Sequence, residues 1–114
     1  MKTIVRKNRI RPLRDKLIGF DGLPKEYQDN FLIIKKVLSD ILGENTNVYV
    51  FGSFYWGFWD EESDYDVLLD YVFNGFKIDE RFEGVTKAKE ILKNEYGFKV
   101  DVLIMKGETG ILIP

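Results

Sequence analysis

Apolar and polar positions recur along this chain with two different periods. Between residues 24 and 43, Tyr27, Phe31, Ile34, Leu38 and Ile41 follow one another at steps of three or four, which places them on one stripe of an α-helix. Pro24 suits the first helical position, acidic residues cluster early, and Gly43 marks the end. Residues 78–97 repeat the pattern with Phe82, Val85, Ala88 and Leu92; the Glu83–Lys87 pair supports that helix and Gly84 weakens it near its start. Elsewhere the period is two. "NVYVFG" (47–52) is a short β-rich run ended by glycine. Around "YDVLLDY" (65–71), Asp64 and Asp66 face one way and Tyr65 and Val67 the other; in "FKVDVLIM" (98–105), Lys99 and Asp101 oppose Val100, Val102 and Ile104. The tail "KGETGILIP" has turn residues and then an apolar end suited to an edge strand. The order helix, strand, loop, strand, helix, strand predicts an α/β (α+β) domain on a small mixed β-sheet.

Composition narrows the chemistry. A chain of 114 residues, 45% apolar and 32% charged, is large enough for one hydrophobic core and too apolar for wholesale disorder. It has no cysteine and no histidine, which excludes disulfides, Cys/His zinc sites, thiol nucleophiles and histidine bases. No apolar run approaches the ~18 residues of a membrane helix. The basic N-terminus lacks the apolar core of a secretory signal. A soluble, cytoplasmic protein with no membrane partner is expected.

Charge is unevenly spread. Residues 1–16 hold Lys2, Arg6, Lys7, Arg9, Arg11, Arg14 and Lys16 against Asp15, a net of +6; with −2 overall, the rest of the chain carries −8. The chain therefore divides into a basic arm (1–20) and a single domain (21–114). Such an arm either grips phosphates or nucleic acid, or is a solvated, partly disordered terminus that folds back on an acidic body. The second, plainer reading is the expectation, and nucleic acid is not the favoured partner.

The densest chemistry lies in "FGSFYWGFWDEESDYD" (51–66), where a Gly-Ser pair opens a run of five aromatics and Asp-x-Asp closes it. Asp64 and Asp66, two apart on a strand, have Cα atoms about 6.6 Å apart and share a face. Strand interiors disfavour aspartate. A third, Asp101, in the middle of a neighbouring strand therefore calls for a counter-charge. An all-oxygen donor set suits Mg²⁺ or Mn²⁺. Gly52 and Ser53, at the end of a strand, offer free backbone N–H groups and room for an anion.

Taken together, "FGS", Gly57, "SDYDVLL" and "VDVLI" resemble the nucleotidyltransferase superfamily typified by DNA polymerase beta, and more narrowly its minimal prokaryotic and viral domains. The resemblance covers roughly residues 25–105. It implies helices packed on one face of the sheet, with Gly52, Ser53 and Ser63 at the nucleoside triphosphate. It also implies Asp64, Asp66 and Asp101 as catalytic, metal-holding carboxylates, with Asp101 beside the attacking hydroxyl. It further implies transfer of an NMP, AMP in the first instance, to a hydroxyl acceptor. Minimal domains of this type often work with a helical, HEPN-type protein partner as the antitoxin of a toxin–antitoxin pair, or as homo-oligomers.

One position departs from the pattern. Where the small-domain version reads Gly-Ser-x-Ala-Arg-Gly, this chain has Trp56 in place of the arginine. Losing a cation beside a triphosphate costs on the order of 10²-fold in rate, and Lys99 or a residue of the basic arm is the available substitute. The aromatics of the run, Phe51, Tyr55 and Phe58 among them, are expected to pack the turn onto the sheet. Five of them cannot all face inward, so Trp56 or Trp59 is expected at the surface, stacking a base or meeting a partner. Two alternatives stand beside catalysis: a non-catalytic relative that binds nucleotide or protein through the same face, and a structural or metal-binding module.

Overall fold

The computed structural model describes residues 3–6, 9–70, 78–105 and 109–114, with side chains from Ile10 to Asp70, Phe82 to Ile104 and Thr109 to Pro114. Lys2 and Lys7 of the arm, Tyr71, and residues 106–108 lie outside the described residues. The elements are β1 (Thr3–Arg6), β2 (Arg9–Pro12), a 3₁₀ turn (Phe20–Gly22), α1 (Lys25–Leu42), β3 (Val48–Phe51), α2 (Gly52–Trp56), β4 (Tyr65–Asp70), α3 (Ile78–Tyr96), β5 (Val100–Met105) and β6 (Ile111–Leu112).

The main sheet has the order β5-β4-β3-β6. β3 pairs antiparallel with β4 and with β6, whereas β4 and β5 run parallel. A parallel pair needs a crossover, and α3 is that crossover. The sheet is thus mixed, and the apolar tail supplies its edge strand.

Alternation along the strands divides the sheet into two faces. Val48, Val50, Val67, Leu69 and Val100 join Phe31, Ile34, Leu38 and Leu42 of α1 and Val85, Ala88 and Leu92 of α3 in one buried cluster. Both helices therefore lie on that face, and their apolar stripes are the ones the three-and-four spacing predicts. Gly84 has a role in this layer. A Cβ built there would stand 2.6 Å from Cδ2 of Leu42 and 3.2 Å from Cγ2 of Ile41, so its absence lets α3 press against α1. Phe82 does not join the stripe. It is 56% exposed, whereas Gly84, two residues on, faces Leu42 and Ile41 of α1.

The N-terminal arm is more ordered than its charge suggests. β1 and β2 form an antiparallel hairpin with Ile4 opposite Arg11. The chain then runs along α2: the Arg14 amide donates to the Gly57 carbonyl at 2.6 Å and the Leu17 amide to the Tyr55 carbonyl at 2.8 Å. The described part of the arm folds back on the acidic body, as expected, with Arg11 beside Asp60, but as a hairpin and a backbone-bonded strap rather than a partly disordered terminus.

Candidate active site

The face of the sheet opposite the helices carries the aspartates. Asp66 lies opposite Phe51 of β3 on one side and opposite Asp101 of β5 on the other. Residues in register on parallel strands point the same way and stand about 4.8 Å apart. Asp64 precedes β4 by one residue and falls on the same side. Above them the chain leaves β3 at Gly52, whose φ of +64° suits glycine. A Cβ at Gly52 would fall on the Asp66 carboxylate, so the two residues are mutually required: the strand-to-helix turn closes over Asp66 only without a side chain.

A cavity of about 500 Å³ opens here, lined by Arg11, Gly52, Ser53, Trp56, Phe58, Glu62, Asp64, Asp66, Lys99 and Asp101. Five of the six residues anticipated for the site therefore meet in one place. Ser63 does not join them. Its hydroxyl accepts the Asp60 amide at 2.8 Å and donates to Asp60 Oδ1 at 3.2 Å, which closes the 60–63 turn that leads into β4. Ser63 thus holds the loop that delivers Asp64.

The donor set suits a hard divalent cation, because the three aspartates, with Glu62, line a cavity roomy enough for an ion and its waters. Among the described residues, however, no three such groups already stand close enough together to hold one. Asp64 leans toward Lys99 instead, with Nζ 3.7 Å from Oδ2.

The aromatic run has two uses. Phe54 is buried and stacks between Trp59 (5.3 Å, 10°) and Tyr65 (5.4 Å, 4°), with Phe31 edge-on at 5.3 Å. Those rings join α2 to the core, so Phe54 rather than Phe51 or Phe58 is the main anchor. Of the two tryptophans, Trp56 is the exposed one, and it lines the cavity. Trp59 packs edge-on against Tyr27 at 4.9 Å and lies under the Arg14 guanidinium at 3.8 Å. Lys16 sits over Tyr55 and Trp56 at 4.6 and 4.9 Å. The rings therefore also seat the basic arm, through contacts worth about 0.5–2 kcal/mol each.

Burial raises the pKa of Tyr65 above its ordinary value, against the lowering influence of the Asn30 amide that donates to its hydroxyl at 2.8 Å. Tyr27 is raised as well, first by burial and then by Glu26. Both stay neutral, packed against the core rings.

Residues 32–110 match the family described as Nucleotidyltransferase domain. The chain belongs to that family. No curated protein and no solved structure gives a significant match. The family match spans the glycine–serine turn and all three aspartates, and it begins after the hairpin and strap, so Arg11 comes from outside the matched segment. Arg11, Phe58 and Glu62 are lining residues that local pattern does not single out, whereas Trp56 stands where its expected exposure placed it. Only the charge of the arm pointed toward the first of them.

Membership makes the chain a transferase-class domain with a nucleoside triphosphate as substrate. Among the described residues, no helix is long and apolar enough to cross a membrane.

Proposed function

We propose that this nucleotidyltransferase domain transfers an NMP, AMP in the first instance, from a nucleoside triphosphate to a hydroxyl acceptor in the presence of Mg²⁺ or Mn²⁺. The observation that carries the reading is the register of Asp66 with Asp101 on parallel strands, beneath a turn that only glycine allows. In the transfer, the acceptor oxygen bonds to the α-phosphorus while the bond from that phosphorus to the bridging oxygen breaks. Pyrophosphate leaves with the bonding electrons, and the hydroxyl proton passes to Asp101. Gly52 and Ser53 border the polyphosphate. Asp64, Asp66 and Asp101 would hold the divalent ions, which when bound supply positive charge at the entering and leaving oxygens. A second cavity of about 530 Å³, along α3 and the start of β5, shares Lys99 and Asp101 with the first. It is the natural approach for the acceptor, which a helical partner protein would supply, this domain being the antitoxin of the pair.

The test is thermal unfolding with each NTP, with and without Mg²⁺ or Mn²⁺, followed by pyrophosphate release with the nucleotide that binds. A ligand that binds only the native state raises stability by RT ln(1 + [L]/Kd). The expected result is a metal-dependent shift that Asp64→Asn/Asp66→Asn removes, together with pyrophosphate release that the same variant lacks. A second reading, nucleotide or partner binding without transfer, is favoured by the Lys99–Asp64 pair, which already neutralises one carboxylate. Binding with no pyrophosphate release in the presence of an acceptor would select it.

A further inference from the structure

We infer that Arg11 is the polyphosphate-binding cation of this site, delivered by the N-terminal hairpin; the inference rests on the nucleotidyltransferase reading and extends it to a residue outside the family segment.

The cavity's charge poses the problem. Among the described residues, its lining has four carboxylates, Glu62, Asp64, Asp66 and Asp101, against two cations, Arg11 and Lys99. A polyanion entering such a space needs positive charge at fixed positions. α2 has only five residues, so its dipole contributes little. The Lys99 side chain is 80% exposed and turned toward Asp64. Arg11 is different. The residue is 6% exposed, yet it lines the cavity.

Its surroundings leave one of its donors without a hydrogen bond. Nε is buried without a hydrogen-bond partner, and its ion-pair neighbour, Asp60 Oδ2, lies 3.5 Å away. A buried charged donor left without a hydrogen bond is costly and uncommon in folded proteins. A guanidinium is also the side chain whose planar fork matches phosphate oxygens. Arg11 thus borders a cavity with room for a polyphosphate, beside Asp60 and with its sealed Nε unbonded.

The backbone holds Arg11 there from both sides. β1 pairs with it through Ile4, and three residues later Arg14 is bonded to Gly57. Gly57 has a φ of +89°, and a Cβ on it would overlap the Arg14 carbonyl, so the strap fits only over glycine. The aromatic rings that carry Arg14 and Lys16 complete the seat. The cation that α2 lacks at Trp56 thus reaches the same cavity from the arm that α2 holds down.

The experiment titrates the full chain and its Arg11→Gln, Arg11→Lys and Asp60→Asn variants with magnesium tripolyphosphate and with magnesium ATP by calorimetry, with thermal unfolding to verify each fold. Arg11→Gln is expected to weaken both ligands about 10- to 100-fold. Arg11→Lys, which keeps the charge and loses the fork, is expected to fall between it and the wild type. Asp60→Asn, which releases the guanidinium, is expected to bind at least as tightly as the wild type. Equal affinity in wild type and Arg11→Gln overturns the inference while the transferase reading stands. Parallel losses in Arg11→Gln and Asp60→Asn also overturn it, because they make the pair structural. Should Arg11→Gln fail to fold, the other two variants decide. A wild type that binds neither ligand ends both readings.

Discussion

The two faces of the sheet are built from the same strands and behave oppositely. On the helix-covered face, Val67 and Leu69 are fully buried against α1 and α3. On the other, Asp66 shares a cavity with Asp101 and Gly52, one residue along from Val67. Successive side chains of a strand point to opposite sides. One backbone therefore serves both demands: apolar residues stabilise it from below, and the rigidity they give is available to charged residues above. Carboxylates that repel one another destabilise a fold least where the strands carrying them are fixed by something else.

This contrast can be tested residue by residue. The largest expected effect is at the open face: Asp101→Asn should lower nucleotidyl transfer by about 10²- to 10⁴-fold, the worth of a positioned base. The urea midpoint of the folded protein should hardly move, because Asp101 is exposed. The covered face should respond in reverse. Leu69→Ala should reduce unfolding free energy by about 2–5 kcal/mol while nucleotide affinity per folded molecule stays the same. If Leu69→Ala instead abolishes binding in fully folded protein, the faces are not independent.

Gly52→Ala tests the one residue that belongs to both. Its added methyl would meet the Asp66 carboxylate and hold a positive φ, so a stability loss of about 1–3 kcal/mol should accompany weaker magnesium-ATP binding. An unchanged affinity in calorimetry would show that Asp66 does not need its present position.

The smallest effect concerns pH. Tyr65 has a raised pKa in the folded chain, chiefly from burial, so the folded state holds its proton longer than the unfolded one. The associated stability is complete below the ordinary tyrosine value of 10.0 and is lost as pH rises through the folded value. Melting temperature should therefore fall above that pH, and more gently in Tyr65→Phe than in the wild type. Parallel curves would assign the alkaline loss to other groups.

Much of this was legible in the chain itself. The two helical stripes, the three core strands, the edge strand from the tail, the Asp-x-Asp pair and the third aspartate are all matters of spacing, and spacing directs side chains relative to their own backbone. What spacing could not decide is how separate segments meet. The strand order set Asp66 beside Asp101. Packing of α1 chose Phe54 and Trp59 as anchors and left Trp56 at the cavity, and it excluded Phe82 from the stripe. The 60–63 turn claimed the Ser63 hydroxyl. Arg11 looks like its basic neighbours until the hairpin pairs and the strap crosses Gly57; its burial depends on contacts with residues some fifty positions away. Local periodicity records which way a residue points, and only the folded chain determines what stands in front of it.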